Sequence, residues 1–334
     1  MNMRHNFSVV VCTYMRPKPL LKLLKSIKLQ TTYPDEILII DGSIDDHTEK
    51  ALKENIFKDL KYFRVKKEDR GLTRQRNFGI NQVHEKSQVI CFLDDDTVLE
   101  NNYFEELIST YNSKNDALAV GGYIINENSW SKEGNGNPNK FHYDGWNRDE
   151  PMRFKVRKLF GLLPDVSPGF MPSFSHGRSV GFLPPSGKIY EVEQIMGGVS
   201  SFKKKIFNEI RFSTYFEGYG LYEDSDFSLR LAKKGKIYVN TDAKLYHYHD
   251  VSGRPNKFKY GKMVVRNGWY VWRIKYPEPT FKARFKWNTT SLLLTIIRFS
   301  NVINTSYRKE AFTESLGRLA GWFSLLYNKP KFEK

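Results

Sequence analysis

The chain is predicted to be an α/β protein: a parallel sheet with helices on both faces, followed by a mainly helical C-terminal region. Three observations carry the prediction. Short β-branched apolar runs alternate with helical leucine patterns through the first 125 residues. Polar residues stand at the ends of those runs, where open α/β sheets bind ligands. Beyond Pro255 the pattern turns to long basic and aromatic helical segments.

Phe7 to Thr13 is a compact apolar run, as a buried parallel strand should be. After Pro17 and Pro19, the leucines at 20, 21, 23 and 24 with Ile27 share one helical face. Glu36 to Ile40 and Lys61 to Val65 are the next strands, and a helix is expected from Thr73 to Val83. Val89 to Leu93 is the fourth strand, Tyr103 to Tyr111 a helix, and Ala117 to Ile124 closes the series. From Asn126 to Pro185 no period holds, and the segment is rich in Gly, Asn, Pro and aromatics. A stretch that long inside a domain is usually functional, here as part of an acceptor cleft or a lid. Order returns at Met196 to Phe202, with helices expected over Lys203 to Ile210 and Glu223 to Lys234. Lys236 to Asn240 and Leu245 to His249 read as two further strands.

At 334 residues the chain has room for one large domain with an appendage, and its 40% hydrophobic and 27% charged content is that of a globular protein. Met1 to Asn6 leads straight into a strand, so no N-terminal signal is expected. The longest apolar stretch, Leu292 to Ile297, falls far short of the roughly 20 residues that span a bilayer. Cys12 and Cys91 sit in strand-like segments and read as core thiols, which suits a cytoplasmic address. The net charge of +16 is unevenly placed: residues 254–334 hold 17 Lys/Arg against four Glu. Such a region fits an anionic partner.

The acidic triplet Asp94-Asp95-Asp96 follows the fourth strand. Along extended chain residues i and i+2 point the same way, so Asp94 and Asp96 would face one ligand. Paired carboxylates repel unless a cation lies between them, and hard oxygen ligands suit Mg²⁺ or Mn²⁺ carrying a phosphate. Two other readings stand beside this. One is a solvated acidic turn. The other is a haloacid-dehalogenase-type phosphatase, whose Asp-x-Asp-x-Thr/Val signature Asp94-x-Asp96-x-Val98 matches; those enzymes carry it on their first strand. No Gly-x-x-x-x-Gly-Lys-Ser/Thr loop is present, which argues against a P-loop ATPase. Asp41-Gly42-Ser43 ends the second strand, where an Asp can accept a base N–H. Gly71 to Gly79 opens a helix with Arg76 and Asn77 in its first turns. Gly218 to Asp226 leads into a helix that begins Glu223-Asp224-Ser225-Asp226; helix capping accounts for one such acid but hardly for three. Asp224 is the candidate general base. His247 and His249 alternate on a strand, and either is a candidate metal ligand.

In order, Val9 to Tyr14, Asp41-Gly42-Ser43, Arg76-Asn77-x-Gly79, Asp94-x-Asp96, Gly197-Gly198, Glu223-Asp224-x-Asp226 and His247 resemble the family 2 inverting glycosyltransferases over about residues 7 to 250. The resemblance implies a Rossmann-like nucleotide-diphospho-sugar transferase fold with a central mixed, mostly parallel sheet. It implies that Thr13, Asp41 and Arg76 hold the nucleotide base, with Tyr14 and Asp95 counted among the donor-binding residues. Asp94 would meet ribose and metal, Asp96 the metal, and His247 would add a metal ligand. Asp224 would be the base, with Glu223 orienting the acceptor. The cofactor implied is Mn²⁺ or Mg²⁺, the donor a nucleotide-diphospho-sugar and the acceptor a glycan or lipid-linked hydroxyl, in cell-surface polysaccharide or glycolipid assembly. Two departures lie near the nucleotide: Ile40 replaces the first Asp of a common Asp-Asp-Gly-Ser motif, and Arg74 and Gln75 replace small residues.

The expected division is a catalytic domain over 1–253, with a nucleotide-binding half (1–125) and an acceptor half (126–253), then a C-terminal region over 254–334. The interleaved aromatic and basic residues after 254 fit an anionic membrane surface, on the inner face of the cell membrane. A helical appendage with a solvated basic face is the alternative. No nucleic-acid-binding module accompanies the charge.

Overall fold

The computed structural model describes residues 5–132, 139–216, 218–249, 255–304 and 306–331. The chain forms two compact units, one of residues 1–129 and 180–253, the other of 130–179 and 254–334. The expected boundary at 253/254 ran along the chain, whereas this grouping is discontinuous. That boundary and the residues before His5, on which the expected lack of a signal rests, lie outside the described residues.

β1 (Phe7–Thr13) is almost wholly buried, as a strand with neighbours on both sides must be. α1 (Pro17–Lys28) starts on a proline, whose fixed φ suits the first helical position, and buries Leu20, Leu23, Leu24 and Ile27. β2 (Glu36–Asp41), α2 (His47–Glu54), β3 (Leu60–Arg64), α3 (Leu72–Gln82) and β4 (Val89–Asp94) continue the alternation. α2 was not expected: it buries only Thr48 and Leu52, too little for a legible apolar face. β5 (Thr97–Leu99), also unexpected, precedes α4 (Tyr103–Ser113) and β6 (Ala117–Ile124).

The segment in which no period was expected is partly regular. β7 (Ser131–Lys132), β8 (Lys140–Tyr143) and β9 (Trp146–Asp149) form a small antiparallel sheet, followed by α5 (Met152–Leu159). Asp144 and Gly145 join β8 to β9 with φ of 49° and 75°, the left-handed pair that a two-residue hairpin turn needs. That Asp-Gly was legible as a hairpin signal and was passed over.

β10 (Ile189–Val192), β11 (Val199–Lys203), α6 (Glu223–Ala232) and β12 (Lys236–His247) return to the first unit. The helix expected over 203–210 is a short 3-10 turn, Lys204–Asn208. The two strands expected after 236 are one. β12 runs through a register irregularity between Val239 and Lys244, where the Asp242 amide donates to Asn240 Oδ1 at 2.9 Å and bends the chain.

Among the described residues the main sheet has nine strands, in the order β10-β12-β6-β11-β4-β1-β2-β3, with β5 paired to β12. β1 lies between β2 and β4, parallel to both, with Thr13 opposite Asp41 and Cys12 opposite Asp94. β11 runs antiparallel between β4 and β6, so the sheet is mixed and mostly parallel, as expected. The core joins β1, β2, β4 and β6 to the buried faces of α1 and α4. Cys91 is in that core, but Cys12, expected there too, is only half-buried because it stands near the open end of β1.

The second unit is completed by α7 (Lys257–Lys275), α8 (Phe281–Asn304) and α9 (Arg308–Tyr327). α7 begins under an Asn256 cap and α9 packs against both α7 and α8. A Cβ on Gly261 or Gly317 would stand 2.1 Å from a carbonyl oxygen of the facing helix, so α7 and α9 cross with their backbones in contact. No helix among the described residues is long and apolar enough to cross a membrane.

Candidate active site

The parallel register brings the ends of β1, β2 and β4 abreast. Asp41 is fully buried, taking the Ser43 amide on Oδ1 and the Tyr62 hydroxyl on Oδ2, both at 2.8 Å. Gln75, one of the two departures from the family pattern, donates to the carbonyls of Thr13 (3.1 Å) and Ile40 (2.8 Å). It therefore ties the ends of β1 and β2 to α3, a role that residue type alone did not signal. Thr13 donates its hydroxyl to Asp95 Oδ2 at 2.7 Å, and Tyr14 is exposed beside it.

The triplet divides. The chain turns at Asp95 and Asp96 between β4 and β5, so the convergence of Asp94 and Asp96 comes from a turn and not from the expected pleat. Asp95 faces Thr13 and Arg16, the latter 3.1 Å away. Burial pushes its carboxyl up to about 7, against the pull of those two donors. Asp94 and Asp96 instead meet His247, with one donor atom from each within 4.8 Å of the others. β5 makes this meeting possible: it pairs antiparallel with the end of β12, setting His247 opposite Thr97. His247 Nε2 lies 3.1 Å from Asp96 Oδ1 and Nδ1 3.2 Å from Glu127 Oε1. Asn126 exchanges two 2.9 Å bonds with the His247 backbone. Burial works against a charged imidazole there, but the bonds to Asp96 and Glu127 outweigh it and lift His247 to about 10. Glu127, His247 and His249 form a second, more exposed group of the same kind. Glu127 was not foreseen, and only the fold places it behind His247.

Across the Gly197-Gly198 pair lies the start of α6. Tyr222, at φ 70°, is left-handed and turns the chain so that Glu223 and Asp224 enter the first helical turn. Glu223 Oε1 takes a short charged bond from Arg76, while Glu223 Oε2 is buried with no hydrogen-bond partner among the described residues. Burial raises the Glu223 carboxyl, with Arg76 opposing and Asp224 adding to the rise. Asp224 accepts from the amides of Ser225 (2.7 Å) and Gly197 (3.3 Å), and burial raises it above its ordinary value. Asp226 is held by Arg230 at 2.6 Å, an i,i+4 pair within the helix.

Arg76 is buried between the rings of Phe92 and Phe212, at 5.6 and 5.2 Å, and reaches Asp94 at 3.6 Å as well as Glu223. The structure thus brings it to the two acidic clusters and not to Thr13 or Asp41, beside which the base-binding expectation put it. The glycines permit this proximity: a Cβ on Gly198 would stand 2.0 Å from Asp94 Oδ2, and one on Gly197 2.5 Å from Glu223 Oε1.

Residues 8–175, half of the chain, match the profile of glycosyl transferase family 2. The chain belongs to glycosyl transferase family 2. Residues 178–259 of this family 2 chain also match the profile described as the N-terminal domain of galactosyltransferase. It is 29% identical over 120 residues to the glucosyl-dolichyl phosphate glucuronosyltransferase of Haloferax volcanii, covering 35% of this chain and 38% of that one. It is 31% identical over 132 residues to the GalNAc(5)-diNAcBac-PP-undecaprenol beta-1,3-glucosyltransferase of Campylobacter jejuni, covering 39% and 42%. The chain therefore spans only about two fifths of either relative's length. Among solved structures, S. aureus TarS 1–349 superposes with a TM-score of 0.52 at 15% identity, covering 96% of this chain and 81% of that one. GalNAc-T7 with UDP, GalNAc and Mn²⁺ gives 0.51 at 18% identity, covering 78% and 47%. These likenesses show the shared GT-A fold. Family membership sets aside the phosphatase reading of Asp94.

Proposed function

We propose that this family 2 chain transfers a sugar from a nucleotide-diphospho-sugar to an acceptor hydroxyl with inversion, using Asp224 as the base. The observation that carries this is the placing of two acidic clusters on either side of Gly197-Gly198, bridged by Arg76. One cluster has the donor set of a divalent cation: two carboxylates and an imidazole close enough to share an ion. Asp94, Asp96 and His247 would hold Mn²⁺ or Mg²⁺, and the imidazole favours Mn²⁺, since Mg²⁺ prefers oxygen alone. Such a cation, when bound, neutralises charge on a diphosphate leaving group.

The remaining chemistry belongs to the side chains. Thr13, Tyr14 and Asp41, at the ends of β1 and β2, would line the nucleotide. Asp224 would take the acceptor's hydroxyl proton as that oxygen bonds to the anomeric carbon. The bond to the nucleoside diphosphate breaks on the opposite face, so the centre inverts. The buried, unpartnered Glu223 Oε2 is an acceptor placed to orient a sugar hydroxyl. Relatives named for dolichyl phosphate and undecaprenol substrates support a glycan or lipid-linked acceptor in glycolipid or polysaccharide assembly. The basic residues after 254 would then hold the protein on the anionic inner face of the membrane.

A thermal-shift screen tests the reading: UDP, GDP or TDP should raise Tm in the presence of Mn²⁺, and EDTA should abolish the rise. No response to any nucleoside diphosphate would count decisively against it.

A further inference from the structure

The outward side of α8 is apolar along its whole length. Phe281, Phe285, Ile296, Phe299 and Ile303 are all exposed, from 48% for Phe299 to 85% for Phe281. Their spacings of four, eleven, three and four residues put them within one narrow stripe of a 3.6-residue helix. α9 carries a second stripe of the same kind, with Phe312, Leu316, Phe323 and Leu326 exposed at intervals of four, seven and three. The stripes run side by side. The Phe299 and Phe312 rings are 5.9 Å apart, and Trp322 Nε1 donates to Asn288 Oδ1 at 2.9 Å between the other halves of the two helices. The opposite faces of both helices are spent on packing: Ala283 and Trp287 of α8 and Ala311, Gly317 and Gly321 of α9 are buried.

Two adjacent exposed apolar stripes about 30 Å long exceed what a chain surrounded by water ordinarily displays. Charge indicates what covers them. Residues 281–331 hold nine Lys/Arg against Glu310 and Glu314. Glu314 is buried and already paired with Arg298 and Arg318. Lys282 near one end, and Arg308, Lys309, Lys329 and Lys331 near the other helix's two ends, are exposed beside the apolar side chains. A second copy docked here would set like charges against like. A sheet of anionic headgroups over acyl chains matches both the basic ends and the apolar middle.

We infer that the α8–α9 face lies flat on an anionic bilayer, its phenylalanines and isoleucines at the acyl boundary and its lysines and arginines among the headgroups. This deepens the membrane part of the reading above and does not depend on the transfer chemistry.

Co-sedimentation of the full chain with phosphatidylglycerol–phosphatidylcholine vesicles and with pure phosphatidylcholine vesicles tests it. The chain should pellet with the anionic vesicles, far less with the neutral ones, and progressively less as salt rises. Ile296→Glu with Phe323→Glu, both at exposed positions, should abolish pelleting while leaving Tm unchanged. Lys282→Gln and Lys309→Gln should each weaken it about fivefold. Asp224→Asn should bind vesicles as the unmodified chain does, and the vesicle-binding variants should still respond to Mn²⁺ and UDP; failure of the transfer reading and failure of this one are thereby separated. The inference is overturned if the chain stays in the supernatant, if the Glu variants pellet unchanged, or if neutral vesicles bind equally well. It is also overturned if sedimentation velocity finds a dimer that the same Glu variants dissociate.

Discussion

Two clusters of three acids face each other across Gly197-Gly198, and they are built differently. In the turn 94–96, Asp94 keeps a side chain 40% exposed and, with Asp96, converges on His247. At the start of α6, Glu223 and Asp224 are sunk in the protein, and burial drives both carboxyls toward the neutral form. Each cluster also spends one member on architecture: Asp95 on Thr13 and Arg16, Asp226 on Arg230. The same residue type thus serves three ends, and environment decides which. Where water and an imidazole are at hand, carboxylates are suited to hold a cation. Where desolvation raises the pKa, a carboxylate is suited to accept a proton.

The sharpest way to break that comparison is to neutralise one cluster at a time. Asp224→Asn should lower kcat by about 10²–10⁴ yet leave the Mn²⁺-dependent thermal shift intact. Asp96→Asn should remove that shift. If Asp224→Asn also lost it, the two clusters would not be separable in role. Gly198→Ala comes next, because its Cβ would displace the Asp94 carboxylate from 2.0 Å away. Transfer should fall about a hundredfold, and an unchanged Mn²⁺ titration by fluorescence or calorimetry would show that Asp94 is not held by that contact.

A smaller effect is expected behind the cation group. Glu127 fixes the Nδ1 side of His247, so Glu127→Gln should weaken Mn²⁺ about 10–100-fold with the nucleotide still bound once metal saturates. The smallest effect is on pH. A base acts deprotonated, and burial lifts Asp224 above 3.8 while the Ser225 and Gly197 amides pull it down. The kcat/KM profile should therefore rise with pH through an acid limb lying above 3.8. A limb at or below that value would argue against Asp224.

Much of this was legible without coordinates, and particular residues show why. A buried strand tolerates polar side chains only at its ends, so Thr13, Asp41 and Asp94 announced the crevice by interrupting apolar runs. The sheet order and most strands followed from the same pattern. What escaped were elements whose signal is short or non-local. β5 is three residues long and α2 has almost no apolar face. The bend in β12 hides inside Asn240 to Ala243, where a local side-chain bond and not composition keeps one strand continuous. The likeness of residues 130–179 to a loop dissolved once Asp144-Gly145 was seen closing a hairpin.

The amino-acid order by itself determined where chemistry could occur, because buried periodic segments leave few places for acids, and those places recur at strand and helix ends. It could not determine which acid does what. Asp94, Asp95 and Asp96 are equivalent in sequence; a turn and three partners separate them. Arg76 meets Glu223 across 147 positions and Asp96 meets His247 across 151. Charge state, orientation and cation geometry depend on those distances through space, and only the folded register of β4, β5 and β12 supplies them.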